Sequence, residues 1–250
     1  MKRIIVFVLA LFVVGVSYAQ KQKKPKINAA EKARSEGDLG TAKEIIDLAS
    51  EYEKLKDDGK TWYYRGLIYA TLDTTSNPQF QNLANDPLKI AMESFAKADE
   101  LGGDKEYFLT APNGLPITQT QQITGLWGHY LNQGVQAYNA EDSENAYKYF
   151  QKTTVVQPKD TTGHIYAASV AQGMEKYDLA LEHYETLLND LDYTSKPLFY
   201  SMVDIEGTVN DNTEKALEVI RRAKEVYPND KEFAKSEINA LIKLDRVEEA

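Results

Sequence analysis

The chain contains no cysteine, and it has only three histidines. The first absence excludes disulfides, a thiol nucleophile and a cysteine that could carry a lipid after an export signal. The histidines, His129, His164 and His183, form no H-x-x-x-H pair and have no cysteine with which to share a metal. We interpret them as surface or half-buried helix positions, and we expect neither a metal site nor a cofactor.

Basic charge is also in short supply, with 29 Lys and Arg against 38 Asp and Glu and a formal net charge of −9. A chain this acidic repels nucleic-acid phosphates unless it gathers its basic residues on one face. Its one basic cluster is Lys21, Lys23, Lys24 and Lys26. We interpret residues 20–27 as a flexible, solvated leader, and we expect no nucleic-acid partner.

Long apolar runs are confined to the amino terminus, where Lys2 and Arg3 precede an uncharged run over residues 4–16 and small residues follow at Ser17 and Ala19. This run is shorter than the ~20 residues that span a bilayer as a helix. The pattern is typical of a cleaved signal peptide over residues 1–19, with an uncleaved anchor as the alternative. We therefore expect an exported protein, periplasmic or secreted and at most peripherally associated with the envelope, without a transmembrane segment after cleavage.

No catalytic constellation has a persuasive spacing. The segment "GGDKE" at Gly102 follows a predicted helix, whereas a phosphate-binding glycine loop follows a strand. Acidic residues such as Glu141, Asp142 and Glu144 cluster just before a predicted helix, where they stabilise its positive end. We expect the protein not to be an enzyme.

The chain does contain an internal period. A small residue recurs at intervals of 34, 36 and 34 residues, at Ala146, Ala180, Ala216 and Ala250. A large apolar residue follows the first three of these one helical turn later, at Phe150, Tyr184 and Ile220. Such a pair lets a neighbouring helix approach closely at the small residue and pack against the large one. The period predicts stacked helix pairs with equivalent seams.

These residues resemble the tetratricopeptide repeat (TPR), a helix–turn–helix unit with the pattern W-x2-L-G-x2-Y, then A-x3-F, then P. The segment "WYYRGLIY" supplies Trp62, Gly66 and Tyr69, with Arg65 where the family prefers leucine. Later units match in the same places, at Tyr130, Gly134, His164, Ala168 and the closing Pro158. The resemblance implies an all-α fold, a right-handed α-solenoid of about five repeats plus an incomplete sixth.

The predicted repeat domain spans residues 28–250. Its units lie at about 28–58, 59–101, 123–160, 161–194, 197–230 and 231–250, the last of which is incomplete. Two irregular stretches interrupt it, an insertion at 72–87 inside the second unit and residues 102–122 before the third. Loops of this length in a compact array are commonly functional or disordered, and their aromatic residues argue against full disorder.

The fifth unit carries two extra residues, which we place in its inner turn, "EGTVNDNT". That placement puts Leu198, Met202, Ile205 and Val209 on one apolar stripe of a helix. The alternative, between units, would put Asp204 in the close-contact place without an evident partner.

In proteins that this chain resembles, the first helix of each unit lines a concave wall that holds peptides or partner helices. The groove-facing places, carried across residue by residue, are Tyr63, Leu67, Leu131, Val135, Tyr138, Ile165, Ser169 and Gln172. We therefore expect a non-enzymatic scaffold of the bacterial cell envelope that binds a protein or peptide. One alternative is that neighbouring units or the long loops cover this strip. Others are a glycan- or small-ligand-binding envelope protein, and the interaction arm of a longer protein with another domain beyond residue 250.

Overall fold

The computed structural model describes residues 23–249, so the predicted signal peptide, the first three residues of the predicted leader and Ala250 of the internal period lie outside the described residues. Within that range the chain forms eleven α-helices and one short hairpin. The helices are α1 (Ile27–Ser35), α2 (Leu39–Glu51), α3 (Gly59–Thr74), α4 (Pro87–Gly102), α5 (Gln119–Asn139), α6 (Ser143–Val156), α7 (Thr161–Gly173), α8 (Tyr177–Asn189), α9 (Lys196–Asp204), α10 (Thr213–Val226) and α11 (Lys231–Lys243). None of the helices in this range is both long enough and apolar enough to cross a bilayer.

The helices pack as consecutive pairs. α1 lies against α2, α3 against α4, α5 against α6, α7 against α8 and α9 against α10. Most pairs contact the next through helices adjacent in sequence, whereas α4 of the second pair contacts α6 of the third. Because each unit buries its apolar face only against its neighbours, the core runs along the stack. The prediction of an all-α solenoid of TPR-like helix pairs is confirmed.

Short acidic side chains set where many of the helices begin. The N-cap carboxylates accept hydrogen bonds from backbone N–H groups in the first turn at Asp38, Asp58, Asp86, Asp142, Asp160 and Asp230. Such a cap satisfies a backbone donor that has no partner inside the helix. Hydrogen bonds from Asn145 hold the pKa of the Asp142 carboxyl below its usual value. The acidic cluster before α6 therefore includes its cap, as the sequence suggested.

The seams between helices follow the period found in the sequence. Their residues are all buried, at Ala146, Ala180, Ala216, Phe150, Tyr184 and Ile220. Glycine belongs to the same contacts, because a Cβ on Gly66 would lie 2.5 Å from the ring of Phe95. One on Gly134 would lie 2.5 Å from the ring of Phe150. The second helix of each of these pairs therefore presses its aromatic ring directly on the backbone of the first.

The extra residues of the fifth unit lie in its inner turn, as predicted. α9 continues into a π-helical turn over Ile205–Val209, and α10 begins at Thr213. Leu198, Met202 and Ile205 are buried, but Val209 is exposed, so the apolar stripe ends one turn earlier than expected. Val209 is the last residue of the π turn and directly precedes the loop to α10.

Residues 102–122, expected to be irregular, contain a hairpin that the sequence did not predict. Strand β1 (Phe108–Thr110) pairs antiparallel with β2 (Pro116–Thr118), and Leu109 lies opposite Ile117. Gly114 in the connecting turn has a φ of 82°, which favours glycine. Thr118 then caps α5 through a capping box with Gln121. The first helix of the third unit consequently starts at Gln119, four residues before the predicted boundary.

The insertion at 72–87 extends α3 to Thr74 and then runs through turns to the cap of α4. Phe80 and Ala84 pack against the core of the first two units. These two apolar contacts fix the insertion against the helices.

Candidate partner-binding face

The eight residues predicted to face a groove lie on α3, α5 and α7. Their exposure to solvent differs from one helix to the next. On α3, Tyr63 is only 1% exposed and Leu67 only 7% exposed. Both belong to the core of the first two units. This part of the predicted strip is therefore covered, which corrects the expectation of an open groove at the second unit.

The cover comes from the segment between α4 and α5. The ring of Tyr107 stacks on that of Tyr63 with their centroids 5.4 Å apart. The Tyr63 hydroxyl also forms a hydrogen bond with the side chain of Gln122, and burial raises the pKa of Tyr63 to about 12. The alternative weighed from the sequence, that a long loop folds over the strip, holds at this unit.

Tyr107 can pack against Tyr63 because glycines occupy the two neighbouring helix ends, Gly59 at the start of α3 and Gly102 at the end of α4. A Cβ on Gly59 would lie 2.2 Å from the Tyr107 hydroxyl oxygen, and one on Gly102 would lie 2.9 Å from its ring. Gln119 holds the end of the same segment, since its amide donates to the Phe95 carbonyl at 3.3 Å and to Asp99 Oδ1 at 2.8 Å. The cover is therefore part of the packed structure of the second unit.

On α5 the predicted residues become progressively more accessible along the helix. Leu131 packs partly against the core of the following units, whereas Val135 is 37% and Tyr138 is 57% exposed. Successive turns of one helix thus present a valine and a tyrosine to solvent. Both side chains are therefore accessible from solvent.

On α7 the structure brings Ile165, Ser169 and Gln172 together in a cavity of about 340 Å³. The remaining lining comes from α8, α9 and the loop between them, at Tyr184, Leu187, Tyr193, Ser195, Pro197, Leu198 and Ser201. The Tyr184 hydroxyl donates to Gln172 Oε1 at 2.8 Å, and burial raises the pKa of Tyr184. No charged side chain lines this cavity, which we call the α7–α9 pocket.

The sequence did not point to the loop residues of the α7–α9 pocket. The repeat period could have indicated these loop residues, because the segment that begins one unit must lie beside the first helix of the previous unit. Ser195 marks that start as the N-cap of α9, where its hydroxyl accepts from the Leu198 N–H. A search of the segments before each predicted first helix would have found them.

Two of the three histidines are more deeply buried than the sequence interpretation expected. His129 is exposed, but His164 and His183 are both buried, and their Nδ1 atoms lie 3.1 Å apart. Burial is the main cause that lowers the pKa of each ring, to about 4 for His183. Across residues 23–249 no three His, Asp or Glu side chains form a group that could hold a metal ion.

No protein-family model matches this chain. The search of curated proteins also found no match. Among solved structures, the chain is similar to YrrB, described as "a TPR protein with an unusual peptide-binding site", at 20% identity over 83% of this chain and 87% of that chain, with a TM-score of 0.36. It is also similar to PilF of Pseudomonas aeruginosa, at 14% identity over 84% of this chain and 93% of that chain, with a TM-score of 0.33. The class of fold, a solenoid of TPR-like helix pairs, follows from the pairs themselves and their shared seams.

Proposed function

We propose that this protein is an exported, non-enzymatic scaffold that binds a protein or peptide on the face formed by α5, α7 and α9. The observation that carries the proposal is the α7–α9 pocket, which lies in the units that come after the one with the accessible Val135 and Tyr138. Ile165, Ser169 and Gln172, which the sequence predicted to face a groove, all line this pocket. We call this surface the first-helix face.

The chemistry of the first-helix face suits an uncharged segment of a partner. Ile165, Leu187 and Leu198 provide apolar contacts in the pocket, and hydroxyl and amide groups provide hydrogen bonds. Because no lining residue is charged, a buried acidic or basic side chain would lose its hydration without gaining an ion pair. An apolar side chain, with its backbone bonded to the polar groups, fits these conditions.

Tyr138 adds an anchor outside the pocket. A tyrosine supplies a large contact area with few rotatable bonds, so little conformational entropy is lost when a partner covers it. The helix pairs that hold the face are packed before any partner arrives, which further limits the entropic cost of binding. We infer that a peptide in extended form would run from Tyr138 to the α7–α9 pocket.

The test is selection of peptides from a displayed random library on the chain of residues 20–250. Affinities of the selected peptides are then measured on two variants, Val135→Glu on α5 and Val155→Glu on α6. Both valines are similarly exposed, at 37% and 42%, but Val155 lies on the second helix of its pair. We expect Val135→Glu to weaken binding about tenfold or more and Val155→Glu to leave it within about twofold. Equal effects, or selected peptides insensitive to Val135→Glu, would remove the first-helix face from the function.

Export is the second part of the proposal, and it is supported by the basic, apolar and small-residue pattern of residues 1–19. The test is amino-terminal sequencing of the protein recovered from fractionated bacteria. We expect the mature chain to begin at Gln20 and to appear outside the cytoplasm. Replacing Ala19 with a bulky residue should block cleavage, and a cytoplasmic chain with an intact amino terminus would refute export.

A further inference from the structure

A second cavity lies away from the first-helix face, between the insertion, α5 and α6. Its volume is about 660 Å³, within the range of small-molecule sites. Its lining is mostly polar and consists of Leu72, Asp73, Thr74, Thr75, Ser76, Gln81, Pro87, His129, Tyr130, Gln133, Lys148, Tyr149 and Lys152. We call it the insertion cleft, because residues 72–87 form one of its walls. It shares no lining residue with the α7–α9 pocket.

One acidic residue lines the insertion cleft, and its charge is already matched. Lys152 Nζ lies 2.6 Å from Asp73 Oδ2, and the Tyr130 hydroxyl donates to the same oxygen. The Lys152 ammonium also lies 5.1 Å from the centroid of the Tyr130 ring, a cation–π contact. Asp73 is therefore neutralised within the wall, and Lys152 is held in one position.

Lys148 supplies the unmatched positive charge in the lining of the insertion cleft. It lies one turn before Lys152 on α6, so both side chains occupy the same side of that helix. Of the two, only Lys152 forms an ion pair within residues 23–249. With Asp73 matched by Lys152, the lining carries one surplus positive charge in a chain of net charge −9. A local excess of this sign favours an anion in the cleft.

Neutral hydrogen-bonding groups complete the wall. The insertion provides hydroxyls from Thr75 and Ser76 and an amide from Gln81, and α5 provides the Gln133 amide. Donors of this kind are common partners of carboxylate and phosphate oxygens. The insertion, which a standard TPR unit does not contain, thus supplies donors for a ligand.

We propose that the insertion cleft binds a small organic anion through a carboxylate or phosphate group, with Lys148 as its main charged contact. Lys152 stays paired with Asp73 in the wall. The neutral groups of the insertion then bond the rest of the ligand, so the insertion has a binding role separate from the first-helix face.

The test uses citrate and inorganic phosphate as probes, with sodium chloride at matched ionic strength as the reference, on the chain of residues 20–250. NMR signals of the His129 ring and the Lys148 side chain report on occupancy. We expect saturable shifts with at least one probe and none with chloride. Saturation by citrate alone identifies a carboxylate site, and saturation by phosphate alone identifies a phosphate site.

Two charge-reversal variants make the test specific. Lys148→Glu should weaken probe binding about tenfold or more, whereas Lys159→Glu, at an exposed lysine beyond the end of α6, should change it less than about twofold. Both side chains are exposed, so both variants should fold, which unchanged melting temperatures will verify. Absence of saturable shifts at millimolar probe overturns the proposal, and so does an equal loss in the two variants, because it would reveal only nonspecific attraction.

Discussion

His164 and His183 face each other across the α7–α8 pair with their Nδ1 atoms 3.1 Å apart. The chain of hydrogen bonds continues through His183 Nε2, which lies 3.3 Å from the Tyr147 hydroxyl, and that hydroxyl accepts from Gln151 at 3.0 Å. Two facing Nδ1 atoms can share only one proton. The contact therefore requires at least one neutral ring, and burial favours two.

The buried histidine pair should make stability fall in mild acid. The pKa of His183 drops from 6.5 to about 4 on folding, and that of His164 also drops, so the unfolded chain binds more protons between these values. The free energy of unfolding must then decrease as the pH is lowered from about 6.5 towards 4. Urea denaturation at a series of pH values will measure the slope.

Carboxylates also titrate at the lower end of this range, so the histidine contribution needs a difference measurement. His183→Gln keeps a polar side chain that cannot titrate, and it should flatten the slope between pH 6.5 and 5. His129→Gln, at an exposed ring, should leave the slope unchanged. If His183→Gln follows the same pH profile as the parent chain, the pair has no role in acid sensitivity.

Arg65 stands where the TPR pattern prefers leucine, and the structure shows why an arginine is tolerated. Its Nε lies 3.3 Å from Asp47 Oδ1, its guanidinium lies over the Tyr69 ring, and it donates to Ser94 at 2.9 Å. Arg65→Leu should lower the free energy of unfolding by about 1–2 kcal/mol, because it removes one charge-assisted hydrogen bond to the partly buried Asp47 carboxylate and another to the Ser94 hydroxyl. Denaturant titration will measure it.

The double variant Asp47→Leu/Arg65→Leu isolates the coupling free energy between these two side chains from their contacts with other residues. If the two side chains are coupled, the double variant loses less stability than the sum of the single variants. A strictly additive result, or a stabilised Arg65→Leu chain, would show that the charged pair contributes nothing at this seam.

Much of the fold could be predicted because the period repeats a local pattern. Ala180 and Tyr184, for example, occupy a buried seam as their spacing indicates, and such helix contacts depend on neighbours in the chain. The contacts that could not be predicted are of two kinds. Some join residues far apart in the sequence, and others involve residues that depart from the repeat pattern. Tyr107 covers Tyr63 from 44 residues away, and Asp47 matches an arginine that the repeat pattern does not contain. Which residues of the predicted groove are accessible therefore depends on contacts that periodicity does not encode.

The seam glycine Gly134 and the open glycine Gly128 offer a test of close packing within one helix, α5. A Cβ on Gly134 would enter the ring of the buried Phe150, whereas one on Gly128 meets no atom within 4 Å. Gly134→Ala should destabilise the protein by about 1–3 kcal/mol through overpacking. Gly128→Ala should stabilise it by about 0.5–1 kcal/mol through better helix propensity. Thermal and urea unfolding will compare them, and effects of the same sign would contradict the packing of this seam.

Gly59 allows a direct test of the cover over Tyr63. Gly59→Ala places a methyl group 2.2 Å from the Tyr107 hydroxyl oxygen and 3.0 Å from the Ala98 carbonyl, so Tyr107 must leave its position. We expect faster proteolysis in the segment 103–118, because that residue anchors it. Limited proteolysis followed by mass spectrometry will locate the cuts.

Two further variants show whether the anchor itself is responsible for the cover. Gly40→Ala changes a glycine at the start of α2 that has room for a methyl group, its nearest neighbour being 3.7 Å away, and it should leave the cleavage rate unchanged. Tyr107→Phe removes the oxygen that conflicts with the methyl group introduced by Gly59→Ala, so combining the two substitutions should restore part of the protection. If Gly59→Ala cleaves no faster than Gly40→Ala, the segment is held by Gln119 and the hairpin, and Tyr107 contributes little to covering the predicted groove.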